Sequence, residues 1–275
     1  MFINHCHVFP EGLIKMFFES QERESYPENF GTIPALKKCM KKLGIEKAVV
    51  FALLENLLNT ADCFDPNKWL LNNLQREKNL YGFVCISPTR EDAAEKLKQY
   101  VSLGFVGAKI HPSVQRVQID DPSAEDFYSA AEELNVPLLF HTGIHDWYLE
   151  KYRPILLDKV AQNHPELPII IEHVGGTAFF YEALAVLQNN PNCYAGIAST
   201  LKEDSAWHLP PEWISLLLKT VGAGRIIYGA DFPWNDCEQI KFDIETINDL
   251  NITSDEKEKI LGKNIERLIK SADHI

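Results

Sequence analysis

Met1-Phe2-Ile3-Asn4-His5-Cys6-His7-Val8-Phe9-Pro10 is an apolar, β-prone run that carries two histidines one residue apart. In a strand, alternate side chains face the same way. His5 and His7 therefore project to one side and can grip one ion, while Cys6 points to the other. Taken alone, the pair is better explained by two unrelated polar residues near a strand end. Its meaning depends on what later strands carry at the same place.

Seven further segments read as strands: 46–53, 80–86, 106–111, 136–141, 168–173, 192–199 and 225–231. Several are near-continuous apolar runs, such as Ala48-Val49-Val50-Phe51 and Ile169-Ile170-Ile171, as expected of parallel strands covered on both faces. Amphipathic helical patterns alternate with them over 33–43, 92–103, 124–134, 155–162, 179–187, 211–220 and 239–250. A final helix opens with the capping box Thr253-Ser254-Asp255-Glu256 and carries Ile260, Leu261, Ile265, Leu268 and Ile269 on one stripe. Eight strands alternating with helices predict a closed (β/α)8 TIM barrel, one domain over residues 1–275 with an extra C-terminal helix. The competing doubly wound open sheet lacks a GxGxxG after the first strand.

The 275 residues, 45% hydrophobic, suffice for one such core. A formal charge of -12 and the lack of a basic run argue against nucleic acid or an anionic membrane as partner. The scattered Cys6, Cys39, Cys63, Cys85, Cys193 and Cys237 contain no CxxC pair and read as reduced thiols of a cytoplasmic protein. The N-terminal run lacks a basic-then-apolar leader pattern, so no signal peptide is expected, and no apolar run approaches a membrane span.

In barrels of this type the chemistry sits at the C-terminal strand ends. Five of the nine histidines fall there: His5 and His7, His111 after Lys109, His141, and His173 after Glu172; the last strand ends in Asp231. Counting by twos, Ile169, Ile171 and His173 share a face, which sends Glu172 into the helix layer. Ile227, Gly229 and Asp231 share another face, with Gly229 leaving room below an ion. Imidazole and carboxylate donors suit zinc, with manganese or iron as alternatives. A bound divalent ion acidifies water, and Asp231 could serve as ligand and base together. His173 could hold that water, polarise the scissile group or bind a second metal.

His5-Cys6-His7, Gly107-Ala108-Lys109-Ile110-His111-Pro112, Leu139-Phe140-His141-Thr142-Gly143, Glu172-His173-Val174-Gly175-Gly176 and Tyr228-Gly229-Ala230-Asp231-Phe232-Pro233 together resemble the amidohydrolase superfamily. The likeness is to its amidohydrolase-2 branch of metal-dependent hydrolases and decarboxylases. The closing stretch from Ile260 to Leu268 is similar as well. The resemblance implies that His5, His7, His141 and Asp231 ligate one metal and that His173 is the catalytic histidine beside it. It also implies that Lys109 is an unmodified amine supplying positive charge to an acidic substrate. A second metal enters only if Lys109 is carboxylated.

The function expected is hydrolysis of a small amide, lactone or ester by metal-activated water, with a decarboxylase or hydratase as runner-up. A related deoxyribonuclease type shares His-x-His but places glutamate where this chain has Lys109, and a barrel holding metal only for structure is the non-catalytic reading. Lys109, His111 and Trp234 are the candidate substrate contacts. Asn56, Gln115, Arg116, His145, Trp147, Trp207 and His208 fall in strand-to-helix loops, where packing or solvated roles outweigh substrate contact. His164 and His274 read as surface residues, and a homo-oligomer is possible.

Overall fold

The structure is a computed structural model describing residues 1–11, 13, 29–53 and 65–270. Strands β1 (Phe2–His7), β2 (Lys47–Phe51), β3 (Leu80–Val84), β4 (Gly107–Ile110), β5 (Leu138–His141), β6 (Ile169–Glu172) and β7 (Cys193–Gly196) each pair in parallel with the next. The last strand is interrupted at Tyr228. Its first half, β8 (Ile226–Ile227), pairs with β7, and its second, β9 (Gly229–Phe232), pairs with β1. Because β8 and β9 are one stretch of chain, the sheet returns on itself, giving the expected (β/α)8 barrel.

Helices α1 (Ile33–Leu43), α2 (Pro66–Leu74), α3 (Ala93–Ser102), α4 (Glu125–Glu133), α5 (Leu156–Asn163), α6 (Gly176–Asn189), α7 (Pro211–Val221) and α8 (Cys237–Asp249) alternate with the strands. The sequence reading omitted α2. Its apolar face is short, and the signal is local: Asp65 Oδ1 accepts from the amides of Asn67 and Lys68 at 2.9 and 3.1 Å, with Pro66 at the first helical position.

The apolar residues form two layers. Ile3, Val50, Ile110, Phe140 and Ile171 face the helices, packing with Leu36, Leu97, Leu157 and Leu187. Val49, Phe51, Phe83, Leu139, Ile170 and Ile227 fill the barrel interior. The described residues close with α9 (Ser254–Glu258), a π turn (Lys259–Lys263) and α10 (Asn264–Lys270) rather than one continuous helix. Ile265, Leu268 and Ile269 join Phe2 in the inner layer and stopper the N-terminal end. The π turn and the strand break satisfy each other: the Tyr228 amide donates to the Ile260 carbonyl at 3.0 Å.

His164, expected on the surface, is buried. It ends α5, and its two ring nitrogens lie 3.2 Å from carboxylates of Glu132 and Glu125. Among the described residues no helix is long and apolar enough to cross a membrane. Asn56, Cys63 and His274 lie outside the described residues.

A second buried carboxyl supports the last strand from outside. Asp243 of α8 accepts from Gln239 Nε2 at 2.8 Å and from the Tyr228 hydroxyl at 3.3 Å. Burial, only partly offset by these bonds, pushes its carboxyl from 3.8 up to about 6. The folded chain therefore binds the extra proton between those values, so stability falls as pH rises through that window. Asp243→Asn should raise stability at neutral pH by about 1–3 kcal/mol. That gain should vanish as the pH is lowered through 6 to 4; urea titrations giving a pH-independent gap would contradict it.

Candidate metal centre

β1 and β9 both depart from regular strand geometry where they meet. Ile3 aligns with Ala48 and Cys6 with Val50, so β1 advances three residues against two and carries a bulge. His5 takes a left-handed φ of 59° there. On the other side Asn4 aligns with Gly229 and Cys6 with Phe232, and Asp231 has φ 51°. Each conformation costs on the order of 1 kcal/mol or more for a non-glycine residue. The bulges bring His5, His7 and Asp231 together on the inner side, while Cys6 packs into the outer layer.

The three polar atoms form a near-equilateral triangle. His5 Nε2 and His7 Nε2 are 3.2 Å apart, and Asp231 Oδ1 lies 3.4 Å from the first and 3.5 Å from the second. Zinc–nitrogen and zinc–oxygen arms of about 2.0–2.1 Å at tetrahedral angles give ligand separations of about 3.3 Å. The triangle therefore has the dimensions of one face of a metal coordination shell. Among the described residues this is the His/Cys/Asp/Glu group that could hold an ion, and all three members are buried.

Protonation also fits. Burial, reinforced by the Lys109 charge, holds the His5 ring well below its usual value, and burial does the same for His7 against the pull of Asp231. Rings held neutral in this way carry the lone pairs that a cation needs. Burial opposes ionisation of Asp231, yet its hydrogen bond to His7 and the closeness of His5 and His173 prevail and hold it below the usual carboxylate range. Its Oδ2 accepts from Ser199 Oγ at 2.6 Å, which in turn accepts from Asn235 Nδ2 at 3.1 Å. The sequence reading singled out neither Ser199 nor Asn235; Asn235, four residues beyond Asp231, was the available signal.

Glu172 overturns an expectation. It points into the site: Oε2 lies 2.9 Å from His5 Nδ1, though without hydrogen-bond direction, and Oε1 accepts from the Ala198 amide at 3.0 Å. Counting by twos from His173 assigned the wrong face because β6 ends at Glu172, and His173 and Val174 continue at φ 64° and 46°. Ile170 and Glu172 face inward; Ile169 and Ile171 face the helices. Gly196 makes the space, since a Cβ there would stand 2.4 Å from Glu172 Oε1. Gly229 likewise leaves room: its Cβ would fall 3.0 Å from the His5 Cβ.

His173 Nδ1 donates to the Ala198 carbonyl at 2.8 Å, which fixes the tautomer and leaves Nε2 without a partner among the described residues. Its ring centroid lies 5.3 Å from that of His5 and 4.6 Å from that of His141. His141 does not join the triangle. Its Nε2 bonds the Gly143 carbonyl at 3.0 Å, and its ring stacks on His111 at 3.8 Å. Lys109 is fully buried, with Nζ 5.4 Å from the Phe51 ring and no hydrogen-bond partner among the described residues. Burial, against the attraction of Glu172 and Asp231, lowers its amine from 10.5 to about 8.

Aromatic rings wall the mouth. Trp234, 41% exposed, meets His7 edge-on at 6.3 Å and Phe30 at 5.3 Å. Trp207, passed over as a loop residue, lies 4.1 Å from His173 in a slot kept open by Gly143 and Gly176, where a Cβ would come within 2.3 and 3.0 Å of it. Arg116 donates to the Asp146 carbonyl at 2.8 Å and tops Trp147, while His145 meets His111 at 5.0 Å. Gln115 accepts from the His111 amide, and the His208 carbonyl accepts from Thr177, so both brace loops.

The amidohydrolase family model matches residues 5–270. Among solved structures, the uncharacterized TIM-barrel protein Bb4693 from Bordetella bronchiseptica is 19% identical over all of both chains, with a TM-score of 0.77. The 2,6-dihydroxybenzoate decarboxylase from Rhizobium is 16% identical over 98% of each, with a TM-score of 0.74. The dihydroxybenzoic acid decarboxylase from Polaromonas sp. JS666, solved with manganese and 2-nitroresorcinol, is 16% identical over 100% of this chain and 99% of that one, with a TM-score of 0.71. At these identities the structural likeness establishes the shared barrel.

Proposed function

Since the chain belongs to the amidohydrolase family, we propose that it is a metal-dependent hydrolase acting on a small, carboxylate-bearing amide, lactone or ester. The observation that carries this reading is the buried triangle of His5 Nε2, His7 Nε2 and Asp231 Oδ1. In this reading these three hold the ion, and His141, whose ring lies beside that of His173, joins as the fourth donor once its Nε2 leaves the Gly143 carbonyl. Zinc suits the donor set, and manganese, present in one structural neighbour, is the second choice. A divalent ion there supplies Lewis acidity, polarising a substrate oxygen and acidifying water.

The remaining steps belong to side chains. Neutral His173, its Nδ1 committed to a carbonyl, has only an acceptor at Nε2, which suits it to take a proton from the attacking water. His173 returns that proton to the leaving group, while ionised Asp231 keeps Oδ2 anchored on Ser199 and Oδ1 toward the ion. Lys109 Nζ meets the substrate carboxylate, and Trp207 and Trp234 exclude bulk water.

A decarboxylase is the second reading, favoured by the ring-lined mouth above a buried cation, a setting for an aromatic carboxylate. Metal-reconstituted protein assayed on lactones, esters and amides and on aromatic carboxylates, with CO2 followed, separates the two. Release of acid without CO2 supports hydrolysis. CO2 evolution replaces it with the lyase, and a chain that binds no metal after reconstitution overturns both.

A further inference from the structure

We propose that Cys39 and Cys237 form a reversible disulfide, making the outer wall of the barrel behind the metal centre a site of thiol oxidation. Cys39 lies in α1 and Cys237 opens α8, and the two helices pack together. Cys237 Sγ is 3.9 Å from the Cys39 carbonyl oxygen, and the two thiols are in side-chain contact. A cavity of about 510 Å3 is lined by both cysteines together with Phe30, Lys38, Lys42, Phe232 and Pro233. Among the described cysteines Cys6, Cys39, Cys85 and Cys193 are buried, and Cys237 is half-buried. An oxidant entering the cavity therefore meets Cys237 first. Burial, followed by the contact with Cys237, pushes the Cys39 thiol up, which shields it from direct oxidation and leaves the first step to Cys237.

With hydrogen peroxide as oxidant, Cys237 sulfur attacks one peroxide oxygen. The O–O bond breaks, water leaves, and a sulfenic acid remains. Cys39 sulfur then attacks that sulfur; the S–S bond forms as S–O breaks, and the departing hydroxide takes the Cys39 proton as a second water. The dithiol loses two electrons and the peroxide gains them. Because α8 begins six residues after Asp231, the bond ties the helices flanking the Phe232–Pro233 turn.

The test is peptide mapping of the intact chain after hydrogen peroxide treatment and alkylation without reductant. The expected result is a cross-linked peptide containing Cys39 and Cys237, lighter by two hydrogens and split by dithiothreitol. In Cys39→Ser, dimedone should trap the Cys237 sulfenic acid and no cross-link should form. If that variant does not fold, mapping of the unaltered chain decides alone. Sulfinic acid at Cys237 with Cys39 still alkylatable overturns the proposal. So does a folded chain in which both thiols stay reduced while the guanidinium-unfolded chain is oxidised.

Discussion

Asp231→Asn should leave a folded chain that has lost its metal and at least about three orders of magnitude in kcat/KM, equivalent to ~4 kcal/mol of transition-state stabilisation. The substitution is mild in shape. Asparagine tolerates the left-handed φ of 51°, and its amide oxygen can still accept from Ser199. What disappears is the negative charge facing two neutral imidazoles, and the amide nitrogen would point a donor where a cation belongs. Elemental analysis after reconstitution, alongside thermal unfolding, checks the result. Full metal occupancy with undiminished turnover would remove Asp231 from the proposed ligand set.

Lys109→Met should separate substrate binding from folding. Methionine fills nearly the same volume without charge, so metal content should hold while kcat/KM for carboxylated substrates falls by about 10²-fold or more, chiefly through KM. Stability should move the other way. The amine is lowered from 10.5 to about 8 in the folded chain, so between those values the unfolded chain binds more protons. The wild type is thus penalised below about 8 and recovers as pH rises toward 10.5. The methionine variant should be more stable at pH 7 by a few kcal/mol, with the difference closing at high pH. Equal unfolding curves at pH 7, or an unaltered KM, would show that the amine has a solvated partner instead of awaiting a substrate anion.

Much of this was legible in the text of the chain. Near-continuous apolar runs, then counted off by twos, located the strands, because a doubly covered parallel strand has few other ways to be written. The strand-end residues His5, His7 and Asp231 followed from that count. What the count missed were departures from period two. Nothing in a histidine or aspartate announces a left-handed backbone, so the bulges on β1 and β9 were invisible, and the same turn at His173 sent Glu172 to the wrong face. Trp207 stayed hidden because its position depends on two distant glycines, Gly143 and Gly176, whose missing Cβ atoms carry meaning only in three dimensions.

The bulged junction of β1 with β9 has a consequence for biogenesis. Two of the three triangle atoms come from β1 and the third from β9, so a ribosome must synthesise everything between His5 and Asp231 before the triad exists. Cation uptake at the proposed site would therefore be a late event that reports circularisation of the sheet. A truncated or misassembled copy would forfeit the ion along with its catalytic competence, and metal loading would act as a quality check on completed synthesis.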